Sequence, residues 1–233
     1  MNNNHTSKDG QASRRNLTGS TGSTGSIDSA ADRNGRAHPG ASSRSLRLAV
    51  VYGSTREGRL CDKVADWVAA QVASHPEFEI DRVDPLLLDL PPRHEQNDGA
   101  AVGALRQRIA EADAFIVVTP EYNHGYPAAL KQLIDSVGSE WQAKPVAFAS
   151  YGGISGGLRA VEQLRQVFAE LHAVTIRDGV SFANVWNLLD ADDRLVGSPA
   201  AGDGAARMLA QLRWWARTLR DARAASPYGL LTT

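Results

Sequence analysis

The sequence predicts an α/β fold, a five-stranded parallel sheet sandwiched between two layers of helices. Three observations predict it. The runs LRLAVVY, AFIVVT and PVAFASY are short and almost continuously apolar, as strands buried on both faces must be. The segments between them switch to apolar spacings of three and four, which put one greasy stripe on a helix. Strand and helix then alternate along the chain, and that alternation needs crossover connections and a parallel sheet.

The elements follow in order from Arg47. Leu46–Tyr52 is the first strand, ended by Gly53. Leu60–Ala73 is a helix with Leu60, Val64, Trp67, Val68 and Val72 on one face. Phe78–Val83 alternates and reads as the second strand, and Leu86–Asn97, with Pro91-Pro92, reads as a loop. Ala101–Glu111 is the second helix. Ala114–Thr119 is the third strand, stopped by Pro120. Pro127 suits the first turn of the next helix, because its missing N–H would be unbonded there. That helix is expected to bury Leu130, Leu133, Ile134 and Val137. Pro145–Tyr151 is the fourth strand, and Leu158, Val161, Leu164, Phe168 and Leu171 mark the helix after it. Val174–Phe182 is expected as one fifth strand. Asp203–Ala222 closes the fold with Met208, Leu212, Trp215 and Leu219 on a stripe.

Residues 1–44 stand apart. Besides alanine they hold only Met1, Leu17 and Ile27 as apolar side chains, and Gly19–Ser26 reads GSTGSTGS. Such a segment buries too little surface to offset its ordering entropy, so disorder is expected. Residues 45–225 then form one domain and 226–233 a short C-terminal tail. The Arg14-Arg15 pair resembles the start of an export signal, but the polar Thr18–Gly22 follows it where an apolar stretch is needed. A cytoplasmic location is therefore expected.

Charge and cysteine count exclude several classes. The net charge is −1, and the tail's six basic and three acidic residues leave the remainder at −4. Nucleic-acid binding needs a basic surface and is not expected. The single Cys61 excludes an internal disulfide and a cysteine-rich zinc site. No apolar stretch approaches the roughly 20 residues of a membrane helix.

Ligands of parallel sheets bind at loops leaving the strand C-termini, and three such loops are unusual here. Gly53-Ser54-Thr55-Arg56-Glu57-Gly58-Arg59 runs from a strand into a helix N-terminus, where backbone N–H groups and the helix dipole favour an anion. Ser54 and Thr55 offer hydroxyls, and Arg56 and Arg59 forked cationic donors. The loop is neither GxGxxG nor GK[ST], so a phosphate monoester suits it better than a dinucleotide or a triphosphate. Thr119–Pro127 (TPEYNHGYP) is a stiff polar and aromatic loop fit to line a planar heterocycle. Ser150–Arg159 (SYGGISGGLR) puts four glycines within six positions, which serves close approach to a flat ligand or positive φ. Gly153–Gly157 also matches GxSxG, the nucleophile elbow of serine hydrolases. The triad order there is serine, acid, histidine. The only histidine after Ser155 is His172, and Glu162 and Glu170 share its expected helix, so no triad assembles.

Taken together, GSTREGR at Gly53–Arg59, PEYNHGYPAALKQLID at Pro120–Asp135 and KPVAFASYGGISGGLRAVEQLR at Lys144–Arg165 resemble the NADPH-dependent FMN reductase family. That resemblance covers about Arg47 to Phe182. It implies a flavodoxin-like three-layer sandwich with strand order 2-1-3-4-5. It also implies FMN, with phosphate contacts at Ser54, Arg56 and the Arg59-Leu60-Cys61 segment. Ring contacts are implied from Pro120, Glu121, Tyr122, Asn123, Tyr151, Gly152, Gly153 and Gly156. Many relatives carry a small hydroxyl residue where this chain has Arg59, which suggests an arginine contact instead. The implied chemistry is ping-pong hydride transfer from NADPH or NADH through flavin N5 to a small electron acceptor such as a quinone. The alternative on the same fold is a non-enzymatic electron carrier or a flavin-binding regulatory protein, and the nearly neutral charge and the PEYN loop argue against a carrier. No catalytic side chain and no metal are expected. The family implies a homodimer or homotetramer, with Trp141, Trp186, Trp214 and Trp215 at the interface or packed within one subunit. Cys61 reads as a small helix residue packed under the loop rather than a redox sensor.

Overall fold

The computed structural model of the chain describes residues 44–93 and 99–231. The expected tail, apart from Arg44, and the end of the 86–97 loop lie outside them. The elements are β1 (Leu46–Tyr52), α1 (Cys61–Val72), β2 (Phe78–Val83), α2 (Ala100–Glu111), β3 (Ala114–Pro120), α3 (Ala128–Asp135), β4 (Pro145–Gly152), α4 (Leu158–Glu170), β5 (Val174–Thr175), β6 (Val180–Ala183) and α5 (Pro199–Ala225). The sheet order is β2-β1-β3-β4-β5, with β6 also on β4, and every pairing is parallel. This is the expected flavodoxin-like order.

Strand alternation divides the core in two. Leu46, Leu48, Val50 and Tyr52 of β1, with Ile116 of β3 and Tyr151 of β4, pack against α1 and α5. Ala49 and Val51, with Phe115 and Phe148, pack against α2, α3 and α4. All these strand residues are buried, which explains why the sequence shows continuous apolar runs rather than alternation.

Four expectations change. The fifth strand is two pieces. β5 pairs with Pro145–Val146 and β6 with Ala149–Gly152, and the register shows two extra residues between them. Gly179 sits in that bulge, where a Cβ would stand 2.7 Å from the Phe148 carbonyl oxygen. The Arg165 guanidinium satisfies the freed carbonyl of Ile176 at 2.8 Å. α5 begins four residues before Asp203, because Ser198 caps it by accepting the Ala201 N–H and Pro199 fills its first position. Pro127 is the extended residue before α3 rather than its first turn, and Val137 is buried just beyond that helix. Leu158 is exposed, not core.

Order β2-β1-β3 places the topological switch between β1 and β3. The loops after β1, β3 and β4 therefore share one rim of the sheet. No helix among the described residues is long and apolar enough to cross a membrane.

Candidate functional site

The first loop leaves β1 pressed against β3. Gly53 N–H donates to the Val118 carbonyl at 2.8 Å, and a Cβ on Gly53 would stand 2.7 Å from that oxygen. Only glycine permits this approach. Ser54 is fully buried, and its Oγ receives the Arg56 N–H at 3.3 Å. The chain then enters α1, whose N-cap Leu60 provides no side-chain cap. The N-terminal N–H groups of α1 are thus left to a loop-side ligand, and the helix dipole favours an anion there. Cys61 lies in the first turn of α1, wholly buried, with its thiol pushed up to about 11 by burial. That supports the packed-residue reading, since a reactive cysteine needs a lowered pKa and exposure.

The second loop turns on Asn123 and His124. Tyr122 and Gly125 exchange both backbone hydrogen bonds, at 2.9 and 3.1 Å, and Asn123 and His124 take φ of 51° and 69°. Two consecutive positive φ values make a primed turn, which asparagine tolerates well. Asn123 and His124 project into solvent at the tip, and Gln163 holds the His124 carbonyl at 2.9 Å. The Tyr122 hydroxyl reaches back to Ser54 Oγ at 2.8 Å, and the Arg56 guanidinium lies over the Tyr122 ring, 4.5 Å from its centroid. Loops one and two are thereby joined.

Loops two and three are joined by Glu121. Its N–H donates to the Tyr151 carbonyl at 3.1 Å, and its carboxylate accepts from Arg159 Nη1 at 2.6 Å and Arg159 N–H at 3.1 Å. Burial pushes this carboxyl up, but hydrogen bonds from Ser155 and Arg159 outweigh it and hold the pKa below the ordinary value. In the third loop Gly156 and Gly157 have φ of 59° and 87°, and Cβ atoms there would meet Ser181 Oγ at 2.3 Å and Ser150 Cβ at 2.8 Å. These two glycines are needed for the turn itself. Gly152 and Gly153 differ: a Cβ on either would find nothing nearer than 3.5 Å, so their backbone stands open at the rim. Trp186, an exposed residue, flanks Gly153, and Asn184 N–H binds the Gly153 carbonyl at 3.0 Å.

The expected site residues therefore separate by position. Arg56, Pro120, Glu121, Tyr122, Asn123, Gly152 and Gly153 gather on the rim around these joined loops, and Ser54, Leu60 and Cys61 build the entry to α1. Three depart from the expected geometry. The Tyr151 ring points into the α1–α5 core beside Cys61, because alternation along β4 sends it there, leaving only its backbone at the rim. Gly156 is buried against Ser181 and Ala183. The Arg59 side chain is taken up by Asp84, Asp62 and the Ser54 carbonyl. Sequence reading also passed over Asp84 and the pairing of Arg159 with Glu121, and it read Trp186 only as an interface or packing residue. An acid directly after β2, in Val83-Asp84-Pro85, was the available signal for the first. Of the four other tryptophans, Trp141 is wholly buried against Phe115 and Phe168, Trp67 packs on Phe182, Trp215 is half-buried, and Trp214 is exposed.

The rim fits an FMN. An uncapped helix N-terminus with Arg56 beside it suits a dianionic phosphate, and the open Gly152-Gly153 backbone opposite the Tyr122–Asn123 turn suits a flat ring.

Comparison with known proteins agrees with this geometry. The family model described as NADPH-dependent FMN reductase matches residues 46–187. An NAD(P)H-dependent FMN reductase of Schizosaccharomyces pombe is 36% identical over 132 residues, spanning 52% of this chain and 64% of that protein. The quinone reductase of Escherichia coli K12 is 32% identical over 146 residues, spanning 58% and 75%. Among solved structures, the flavoenzyme NAD(P)H:acceptor oxidoreductase FerB of Paracoccus denitrificans superposes with TM-score 0.60 at 24% identity, over 73% of this chain and 97% of that one. The chain thus spans less than two thirds of the fission-yeast relative, and residues 46–187, which the family model matches, contain all three rim loops. This chain belongs to the NADPH-dependent FMN reductase family, a family of flavin-dependent oxidoreductases.

Proposed function

We propose that the protein is an FMN-dependent NAD(P)H oxidoreductase that passes reducing equivalents to a small acceptor such as a quinone, donor and acceptor occupying the site in turn. The observation that carries this reading is the joining of three loops into one rim, by Ser54–Tyr122 at 2.8 Å and Glu121–Arg159 at 2.6 Å. FMN, when bound, would supply the hydride-transfer chemistry. The chain's own residues bind and orient. The amides at Leu60 and Cys61, with Arg56, hold the phosphate, and Ser54 and Tyr122 fix that loop. The backbone from Pro120 to Asn123, and at Gly152 and Gly153, lines the ring.

No side chain at this rim needs to act as an acid or base. Glu121 stays ionised in its pair with Arg159 and serves as a brace. Exposed Ile154, Leu158 and Trp186 flank the third loop, which supports a homodimer or homotetramer that covers this edge. We place the protein in the cytoplasm, consistent with a nicotinamide donor.

The test is direct. Purified protein should release FMN on denaturation and oxidise NAD(P)H, with parallel double-reciprocal plots when quinone is varied against nicotinamide. Intersecting lines would exclude the alternating mechanism. Flavin binding without turnover would exclude the reductase reading altogether. Light scattering should give a mass of two or four chains, and a monomer would remove the covered edge.

A further inference from the structure

Arg59 occupies the phosphate loop, yet its guanidinium is fully used within the protein. Nε donates to Asp62 at 3.1 Å. Nη2 donates to Asp62 at 2.8 Å and to Asp84. Nη1 donates to Asp84 at 2.8 Å and to the Ser54 carbonyl. A guanidinium has five N–H groups, and these contacts take all five. The side chain is only 6% exposed. Asp84 is equally committed. Its Oδ1 also accepts the Leu86 N–H at 3.0 Å. Burial pushes its carboxyl up, and Arg59 and Leu86 more than reverse that. Asp84 directly follows β2, the strand beside β1, so the fork spans from one strand end to the loop of the next.

We propose that Arg59 is a positioning residue rather than a phosphate ligand: bridged to Asp84 and Asp62, it clamps the Ser54 carbonyl and sets the curvature that aims the α1 N-terminus at the FMN phosphate. This rests on the FMN reading above. With two carboxylates on Arg59, the phosphate charge is met by Arg56 and the helix N-terminus. Arg56 is exposed and stacked on Tyr122, free to turn toward a ligand. The bridge then does by a charged fork what a hydroxyl residue at this position would do by contact.

The experiment titrates apoprotein with FMN and, separately, with riboflavin, following quenching of flavin fluorescence, so that no turnover enters the readout. The variants are Arg59→Ala, Asp84→Asn and the double substitution, with circular dichroism melts confirming the fold. A clamp predicts that each single variant weakens FMN about tenfold or more. Riboflavin binding should stay within about twofold, and the double variant should be no worse than the poorer single one, as for residues acting as a unit. A direct ligand predicts the opposite sign at Asp84. Releasing Arg59 and removing a nearby negative charge would leave FMN unchanged or bind it more tightly, and that result overturns the proposal. Equal losses for both flavins would show that the bridge only supports the fold, and would also overturn it. Should Asp84→Asn fail to fold, Arg59→Lys replaces it. One point charge cannot span two carboxylates and a carbonyl, so lysine should not restore FMN affinity, whereas for a simple phosphate ligand it would. Wild-type protein that binds neither flavin would instead strike the FMN reading itself.

Discussion

Glu121 shows how a single carboxylate organises the rim. It is buried, ionised and shared between the β3 loop and the start of α4. Because its pKa is lower in the folded chain than in the unfolded one, its contribution is present above the ordinary carboxylate range and is lost as pH falls through the folded value. Glu121→Gln should therefore lower the thermal midpoint at neutral pH, with the gap to wild type closing below about pH 4. A gap that persists at low pH would mean that shape, not charge, sets the role. Gly157 is constrained sterically rather than electrically. At φ 87°, with Tyr151 backbone nitrogen 2.9 Å from a Cβ, Gly157→Ala should cost about 1–3 kcal/mol in urea unfolding. Much at this scale was legible, because glycine, proline and asparagine announce their turns locally. The Arg59 fork was not. Its partner Asp84 lies 25 residues away, and nothing in GSTREGR tells a free arginine from a committed one. Tyr151 misled for a different reason, since strand alternation, not loop membership, decides where its ring goes.

Elements were read best where burial is complete and worst at their ends. β1 and β2 have the expected limits, β1 because a run of buried apolar residues has no other use and β2 because Phe78 and Val83 bury its two ends around a polar middle. The fifth strand was read as one because Val174-Thr175-Ile176 and Val180-Ser181-Phe182 are both strand-like, and the Asp178-Gly179 break between them was read through. The bulge follows from β4, a partner strand that the local pattern cannot show. The start of α5 was written in Ser198-Pro199, and the hydroxyl cap carries a price: Ser198→Ala should destabilise by about 1 kcal/mol in chemical denaturation. Lys144 caps the other end of a helix. Its ammonium donates to the Ile109 and Ala110 carbonyls near the α2 C-terminus, at 2.7 Å each, and burial, with Arg223 nearby, brings its pKa down to about 8. A lysine whose pKa falls on folding favours the unfolded chain while both states compete for its proton. That penalty fades as pH rises from about 8 toward the unfolded value of about 10.4. Wild type should thus gain stability over Lys144→Met across that window in paired urea melts. A constant difference would contradict the assigned pKa.

The whole molecule follows from one topological fact. A sheet ordered β2-β1-β3-β4 brings the loops after β1, β3 and β4 to one rim, and two hydrophobic layers hold that rim rigid from below. Fold class, strand order and the three loops were legible because each rests on patterning or on motifs within a few residues. The braces between the loops were not, because Ser54–Tyr122 and Glu121–Arg159 join positions far apart in sequence. The central claim is that these loops together cage one FMN. Isothermal titration of apoprotein with FMN tests it most directly, on wild type and on Arg56→Ala. The account predicts one FMN per chain, with affinity at least tenfold weaker in Arg56→Ala and riboflavin binding little changed. No heat of binding in the wild type, or an unchanged FMN affinity in the variant, would contradict it.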